Sequence, residues 1–142
     1  MTTITAELIS GFQVDINNGT HTWRADEPAS LGGDDTGPNP YDLLLGALAA
    51  CTSITLSMYA NRKGIVLDSL SVSYTHERVH ADDCEQCDEE HTGMVDRIKS
   101  QIFLDGDFDD ETRARLEQIA QRCPVHKTLG AGVVYDEEIF VG

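Results

Sequence analysis

Apolar and polar residues alternate with period two at the start of the chain. Ile4, Ala6 and Leu8 are separated by Thr5 and Glu7, and Phe12, Val14 and Ile16 by Gln13 and Asp15. Ser10-Gly11 and Asn17-Asn18-Gly19 punctuate these runs as turns. The pattern predicts two half-buried strands, with His21 to Ala25 as the third strand of a meander. Asp26 to Asn39 breaks the alternation. It is rich in Gly, Asp and Pro, and Leu31 is its one large aliphatic residue, so it reads as a long loop of the kind that often carries function.

The pattern then changes to a continuous apolar stretch from about Pro40 to Lys63. Pro38 and Pro40 keep the preceding chain extended and suit a first helical turn. Arg62, Lys63 and Gly64 supply a cationic last turn and a C-cap glycine. A helix apolar on nearly every face belongs in a core, and Cys51 sits in its middle. Leu67 to His80 resumes alternation through Leu70, Val72 and Tyr74. His76 to His91 is a polar, acidic excursion, and Met94 to Leu104 returns as a strand. Asp109 to Arg122 reads as a second helix with acids in its first turn and Leu116, Ile119 and Ala120 as its apolar stripe. Cys123 to Leu129 reads as a short helical turn, and Val133 to Val141 as a closing strand.

The predicted order is βββ-α-ββ-α-β, an α+β domain covering residues 1–142 with a long buried central helix. One sheet cannot cover a helix that apolar on all sides, so a second subunit is expected to cover the rest.

Composition narrows the function. Ten basic residues against 25 acidic ones give a formal net charge of −15. Such a surface repels phosphate backbones and anionic lipid, which disfavours nucleic acid and membranes as partners. The apolar run from Leu43 to Cys51 is too short to span a bilayer. Met1 to Glu7 has neither the basic nor the apolar region of a secretory signal, so the expected location is cytoplasmic. There, the four cysteines point to redox chemistry or metal binding rather than structural disulfides.

Each cysteine has a plain and a chemical reading. Cys51 could be inert core. Its helical neighbours Leu44, Leu48, Thr55 and Met58 are mostly apolar and would raise its pKa unless a cation approaches. Cys123 precedes Pro124 at a helix start, where backbone N–H groups favour thiolate, and His126 could share its face. Alone it could be only a turn residue. Two thiols on helices that must share one core form a candidate redox pair. His80, Cys84, Cys87 and His91 supply four ligands that tetrahedral zinc accepts; the alternative is a solvated acidic tip whose thiols are incidental or form a local disulfide. Arg24 is the candidate cation for Cys51. Asp42, next to Tyr41, is a candidate acid or only a helix cap.

Asn39-Pro40-x-x-Leu43 leading into Ala49-Ala50-Cys51, followed later by Arg122-Cys123-Pro124, resembles the OsmC/Ohr family of osmotically induced and organic-hydroperoxide-resistance proteins. Ala25-Asp26-Glu27-Pro28, His80-Ala81-x-Asp83-Cys84-x-x-Cys87 and Cys123-Pro124-Val125-His126-x-Thr128-Leu129 are similar to an OsmC-like subgroup. The resemblance implies an intertwined homodimer with two interfacial sites. It implies that Cys51 attacks an organic hydroperoxide, that Cys123 resolves the sulfenic acid as a disulfide, and that small or lipoyl dithiols reduce the enzyme without haem, flavin or catalytic metal. Organic-hydroperoxide members place Glu after Asn-Pro, where this chain has Tyr41. The alternative reading is a non-enzymatic redox-sensing or small-molecule-binding dimer.

Overall fold

The alternation at the start of the chain becomes a three-stranded antiparallel meander in the computed structural model, which describes residues 1–142. Its strands are β1 (Thr5–Ser10), β2 (Gln13–Asn17) and β3 (Thr22–Ala25), in the order β1-β2-β3. The register sets Leu8 opposite Val14 and Asp15 opposite Arg24. The loop that follows is organised by Asp26, which is buried although charged. Its carboxylate accepts from the Thr36 hydroxyl at 2.7 Å, the Thr36 amide at 3.0 Å and the Glu27 amide at 2.8 Å. These bonds offset the cost of burying the charge. The loop folds so tightly that a Cβ on Gly33 would overlap the Glu27 carbonyl, and one on Gly37 that of Arg24.

Helix α1 spans Pro40–Lys63, as the punctuation predicts. Asn39 and Asp42 form a reciprocal cap. The Asp42 amide donates to Asn39 Oδ1 at 2.9 Å, and the Asn39 amide donates to Asp42 Oδ2 at 3.2 Å. Gly64, at φ 68°, ends the helix in the left-handed region. The chain forms two compact units, Met1–Gly46 and Ala47–Gly142, with the boundary inside α1.

In the second unit, β4 (Ser69–His80) and β5 (Met94–Asp105) form a long antiparallel hairpin, paired from Ser69–Asp105 to His80–Met94. Helix α2 (Asp110–Ala120) starts at Asp109, whose side chain accepts from the Thr112 amide at 2.8 Å. Leu116, Ile119 and Ala120 of α2 pack with Leu56 of α1 in the core, ringed by Tyr59, Leu67, Leu70, Ile102, Leu104 and Phe108. Helix α3 (Pro124–Ala131) follows, with Cys123 as its N-cap and Pro124 in its first turn.

Two expectations change in the single chain. Helix α1 buries one edge only, Leu48, Thr52, Leu56 and Ala60 at four-residue spacing, while Ile54 is 57 % and Met58 68 % exposed. One helix and one hairpin cannot wrap its circumference. By length and composition α1 would also pass as a membrane span, but its buried edge is built into the core of the second unit. The strand expected over Val133–Val141 does not form. These residues join no ladder and are exposed, Val134 by 99 % and Phe140 by 87 %. Their alternating pattern suits a strand, but a strand needs a neighbour's N–H and C=O groups, and this chain supplies none there.

Candidate active site

The core that joins α1 to α2 also brings two sulfurs together. Cys51 lies one residue before the buried Thr52 on α1, and Cys123 follows the end of α2 as the cap of α3. Both are free cysteines, and their side chains are hydrogen-bond neighbours. Cys123 is fully buried, whereas Cys51 is half-buried.

The surroundings treat the two sulfurs differently. Around Cys123, burial pushes the thiol up. Hydrogen bonds from Cys51, the His126 amide, the Thr52 hydroxyl and the Val125 amide more than reverse this, and its pKa falls below the ordinary value. The His126 amide donates to Cys123 Sγ at 3.4 Å, as expected for a helix N-terminus offering unpaired N–H groups. At Cys51, burial is the largest influence and the adjoining Cys123 adds to it. Together they outweigh the Val125 amide and the Thr55 hydroxyl, so this thiol is raised. Within the pair Cys123 is therefore the more acidic sulfur, and Cys51 the one that holds its proton more firmly. The greater acidity of Cys123, expected from the Cys-Pro helix start, is what the geometry gives.

The other predicted residues take separate places. His126 serves Cys123 through its backbone amide. Arg24 is held by Asp15, with Nε to Oδ1 at 2.7 Å and NH2 to Oδ2 at 3.0 Å, and its NH1 donates to Gln13 Oε1 at 3.3 Å. Asp42 caps α1. Cys84 and Cys87 form a disulfide. His80 Nδ1 lies 3.3 Å from Asp82 Oδ2, and His91 Nδ1 lies 2.7 Å from Asp88 Oδ1. With the disulfide closed, no set of three or more His, Cys, Asp or Glu side chains is placed for a metal.

Residues 32–138 match the model of the OsmC-like protein family. The chain belongs to that family.

Solved structures carry the same fold. An OsmC-like protein from Mycoplasma pneumoniae is similar with a TM-score of 0.70 at 23% identity, over 92% of this chain and 87% of that one. A putative osmotic stress induced and detoxification response protein from Psychrobacter arcticus 273-4 gives 0.69 at 21% identity, over 89% and 87%. The organic hydroperoxide resistance protein OhrB of Bacillus subtilis gives 0.58 at 22% identity, over 89% and 88%. No curated protein matches the sequence.

Two residues of this OsmC-like site escape sequence reasoning. Thr52, fully buried, shares a hydrogen bond of 2.8 Å with the Tyr74 hydroxyl while also serving Cys123. The available signal was that an inward-facing Tyr on β4 needs a partner for its hydroxyl. That the partner would be Thr52 depends on how the hairpin meets α1.

Proposed function

We propose that this OsmC-like chain is a thiol-dependent peroxidase for organic hydroperoxides. Cys51 is the attacking sulfur and Cys123 resolves it. The observation that carries this reading is the direct contact between a half-buried thiol and a buried, acidic one. The organic hydroperoxide resistance proteins among the fold's neighbours support the substrate class.

The two sulfurs divide the work by access and acidity. One turn along α1 from Cys51 lies a cavity of about 610 Å³ lined by Thr55, Met58, Tyr59, Ile119 and Pro124, with Arg62 and Arg122 among its polar groups. Thr55 is the residue that also hydrogen-bonds Cys51. Cys123 is closed off but the more acidic of the two. In the proposed reaction the Cys123 thiolate takes the Cys51 proton. The Cys51 thiolate attacks the terminal peroxide oxygen, the O–O bond breaks, and the alkoxide leaves as alcohol with the proton that Cys123 took. Cys51 is left as a sulfenic acid. Cys123 then attacks the sulfenic sulfur, water departs, and a Cys51–Cys123 disulfide remains. One hydroperoxide and two thiols become an alcohol, water and a disulfide. A small or lipoyl dithiol returns the two electrons.

The assembly we infer is a homodimer in the cytoplasm. A second copy would cover the open faces of α1 at Ile54 and Met58 and offer a ladder to the exposed Val133–Val141 segment. Light scattering should then give twice the chain mass.

The test of the activity is consumption of cumene hydroperoxide by reduced protein with a dithiol present. Wild type is expected to turn over and Cys51→Ser to lose turnover by at least about 10³-fold. Equal inertness of both would end the peroxidase reading. A Cys51–Cys123 disulfide that forms on oxidation without turnover would favour the redox-sensing alternative.

A further inference from the structure

The second thiol pair, at the tip of the β4–β5 hairpin, has no part in the reaction just described. The tip is closed at its base by the last ladder pair, His80–Met94, and by the Ala81 amide donating to the Gly93 carbonyl at 2.8 Å. Cys84 and Cys87 are half-buried, while most of their neighbours in the tip are exposed. Both line a cavity of about 700 Å³ that His126 and Gly130 of α3 also line. The first turn of that helix is what holds Cys123. An adjoining cavity of about 250 Å³ shares Asp96, Ile98, Ser100, His126 and Gly130 with the first and reaches Leu48 and Tyr74. Tyr74 bonds Thr52, and Thr52 bonds Cys123. The two cavities together run from the tip disulfide to Leu48 and Tyr74, and the Tyr74–Thr52–Cys123 hydrogen bonds link that end to the inner pair.

From this arrangement we propose that Cys84 and Cys87 form a redox relay, which takes electrons from an external dithiol at the surface and passes them inward to the Cys51–Cys123 disulfide. The proposal rests on the peroxidase reading and adds the path of reduction to it. A thiolate of the external dithiol attacks the Cys84–Cys87 bond. That bond breaks, and the donor's second thiol closes its own disulfide, leaving Cys84 and Cys87 as thiols. One of these, as thiolate, attacks Cys51 in the inner disulfide, and Cys123 departs as thiolate. The remaining tip thiol then closes the Cys84–Cys87 disulfide and frees Cys51. Two electrons and two protons have moved inward. The direction of attack follows from the site: Cys51 is the more accessible inner sulfur, and Cys123, which the site keeps acidic, is the better leaving group.

The tip also selects its donor. Asp82, Asp83, Glu85, Asp88, Glu89 and Glu90 surround the disulfide with no Lys or Arg between Ala81 and Gly93, and the two cations lining the same cavity, Arg97 and Lys99, are both paired with Glu77. A field of that sign repels anionic thiols and admits neutral or cationic dithiols, including a protein dithiol on a basic face.

Titration of the fully reduced protein with cumene hydroperoxide, with no other thiol present, separates the possibilities. The relay predicts consumption of about two equivalents per chain by wild type and about one by the Cys84→Ser/Cys87→Ser double variant. In Cys51→Ser the tip thiols should stay reduced on the same timescale, as read by mass mapping of alkylated peptides. If wild type stops at one equivalent with Cys84 and Cys87 still reduced, the relay is overturned and the peroxidase reading stands. Oxidation of the tip in Cys51→Ser as fast as in wild type also overturns the relay. No consumption by wild type removes the peroxidase reading itself. In steady state, neutral dihydrolipoamide should outpace anionic dihydrolipoate, with the gap narrowing as salt screens the tip. Equal rates at low salt would remove the donor selection.

Discussion

The two cysteine pairs are built in opposite ways. Cys84 and Cys87 meet because they are three residues apart on one tip. Their pairing needs only a local turn. Cys51 and Cys123 meet because α1 and α2 pack through Leu56, Leu116, Ile119 and Ala120, and Cys123 comes three residues after α2 ends. Their pairing is a product of the core. The local pair is bonded and set among carboxylates. The long-range pair is open, protected and unequal in acidity. A local pair can exchange electrons with the surroundings while the fold stays intact, whereas a core-built pair has its reactivity set by everything packed against it.

The largest expected effect tests whether the inner pair depends on the core. Leu116 is fully buried between α1 and the hairpin. Leu116→Ala should cost about 2–5 kcal/mol in urea unfolding and speed alkylation of Cys123, because the platform beneath α3 loosens. The Cys84→Ser/Cys87→Ser variant should lose less than the ~3 kcal/mol associated with closing a 15-residue loop, since its own loop is far shorter. A tip variant that destabilises as much as Leu116→Ala would make the tip a structural staple and erase the contrast.

A smaller effect concerns the unequal acidity. Thr52→Val removes the hydroxyl shared by Cys123 and Tyr74, leaving the Tyr74 hydroxyl without it at a cost of about 1–3 kcal/mol. The Cys123 pKa should rise, read by thiolate absorbance against pH. The sign of the pH dependence follows. The folded Cys123 value lies below the unfolded one, so its thiolate adds stability above the unfolded value, and that stability is lost as pH falls through the folded value. Cys51 is shifted the other way. Its preference for the proton adds stability below its unfolded value, lost as pH rises through the folded one. Peroxide reactivity should therefore fall on the acid side as the pair takes up its second proton, at a higher pH in Thr52→Val than in wild type. The tip variant should move neither profile, and a shift there would show that the two pairs share an electrostatic environment.

The features legible in the sequence are those set by local chemistry. Pro40 and Gly64 bound α1, Asp109 starts α2, and Cys123-Pro124 announces both α3 and an acidic thiol. The two inner thiols were legible as a pair because their helices had to share a core. What stayed hidden depends on register or on a neighbour. The Thr52–Tyr74 bond requires knowing which face of β4 meets α1. The alternation from Val133 to Val141 was visible, but its ladder was not within the chain. The tip left zinc and a disulfide both open, because His80, Cys84, Cys87 and His91 suit either, and only the folded tip shows the sulfurs bonded. Arg24 looked available for Cys51 because sequence alone does not set Asp15 opposite it.

That pairing gives the smallest prediction and the one that most sharpens how the inner pair is activated. Arg24 and Asp15 form a two-bond ion pair across β2 and β3, with the Arg24 side chain 38 % exposed. The Arg24 hydrogen bond, opposed by desolvation and helped by the guanidinium charge, holds the Asp15 carboxyl below its ordinary value. The pair's contribution is thus present above the unfolded Asp value and lost as pH falls through the folded one. Exposed pairs of this kind add little to stability, so Arg24→Ala should lower the thermal midpoint only slightly. If Asp15 is Arg24's working partner, the alkylation rate of Cys51 should be the same in wild type, Arg24→Ala and Asp15→Asn. If Arg24 instead supplies the cation for Cys51 in the assembled protein, Arg24→Ala should slow alkylation and Asp15→Asn, which releases the guanidinium, should hasten it. Opposite effects of the two variants would mean that Cys123 and the α3 amides are not the whole of the activation. Equal rates would leave the charge balance of the inner pair to Cys123 and to the hydroxyls and amides that already surround it.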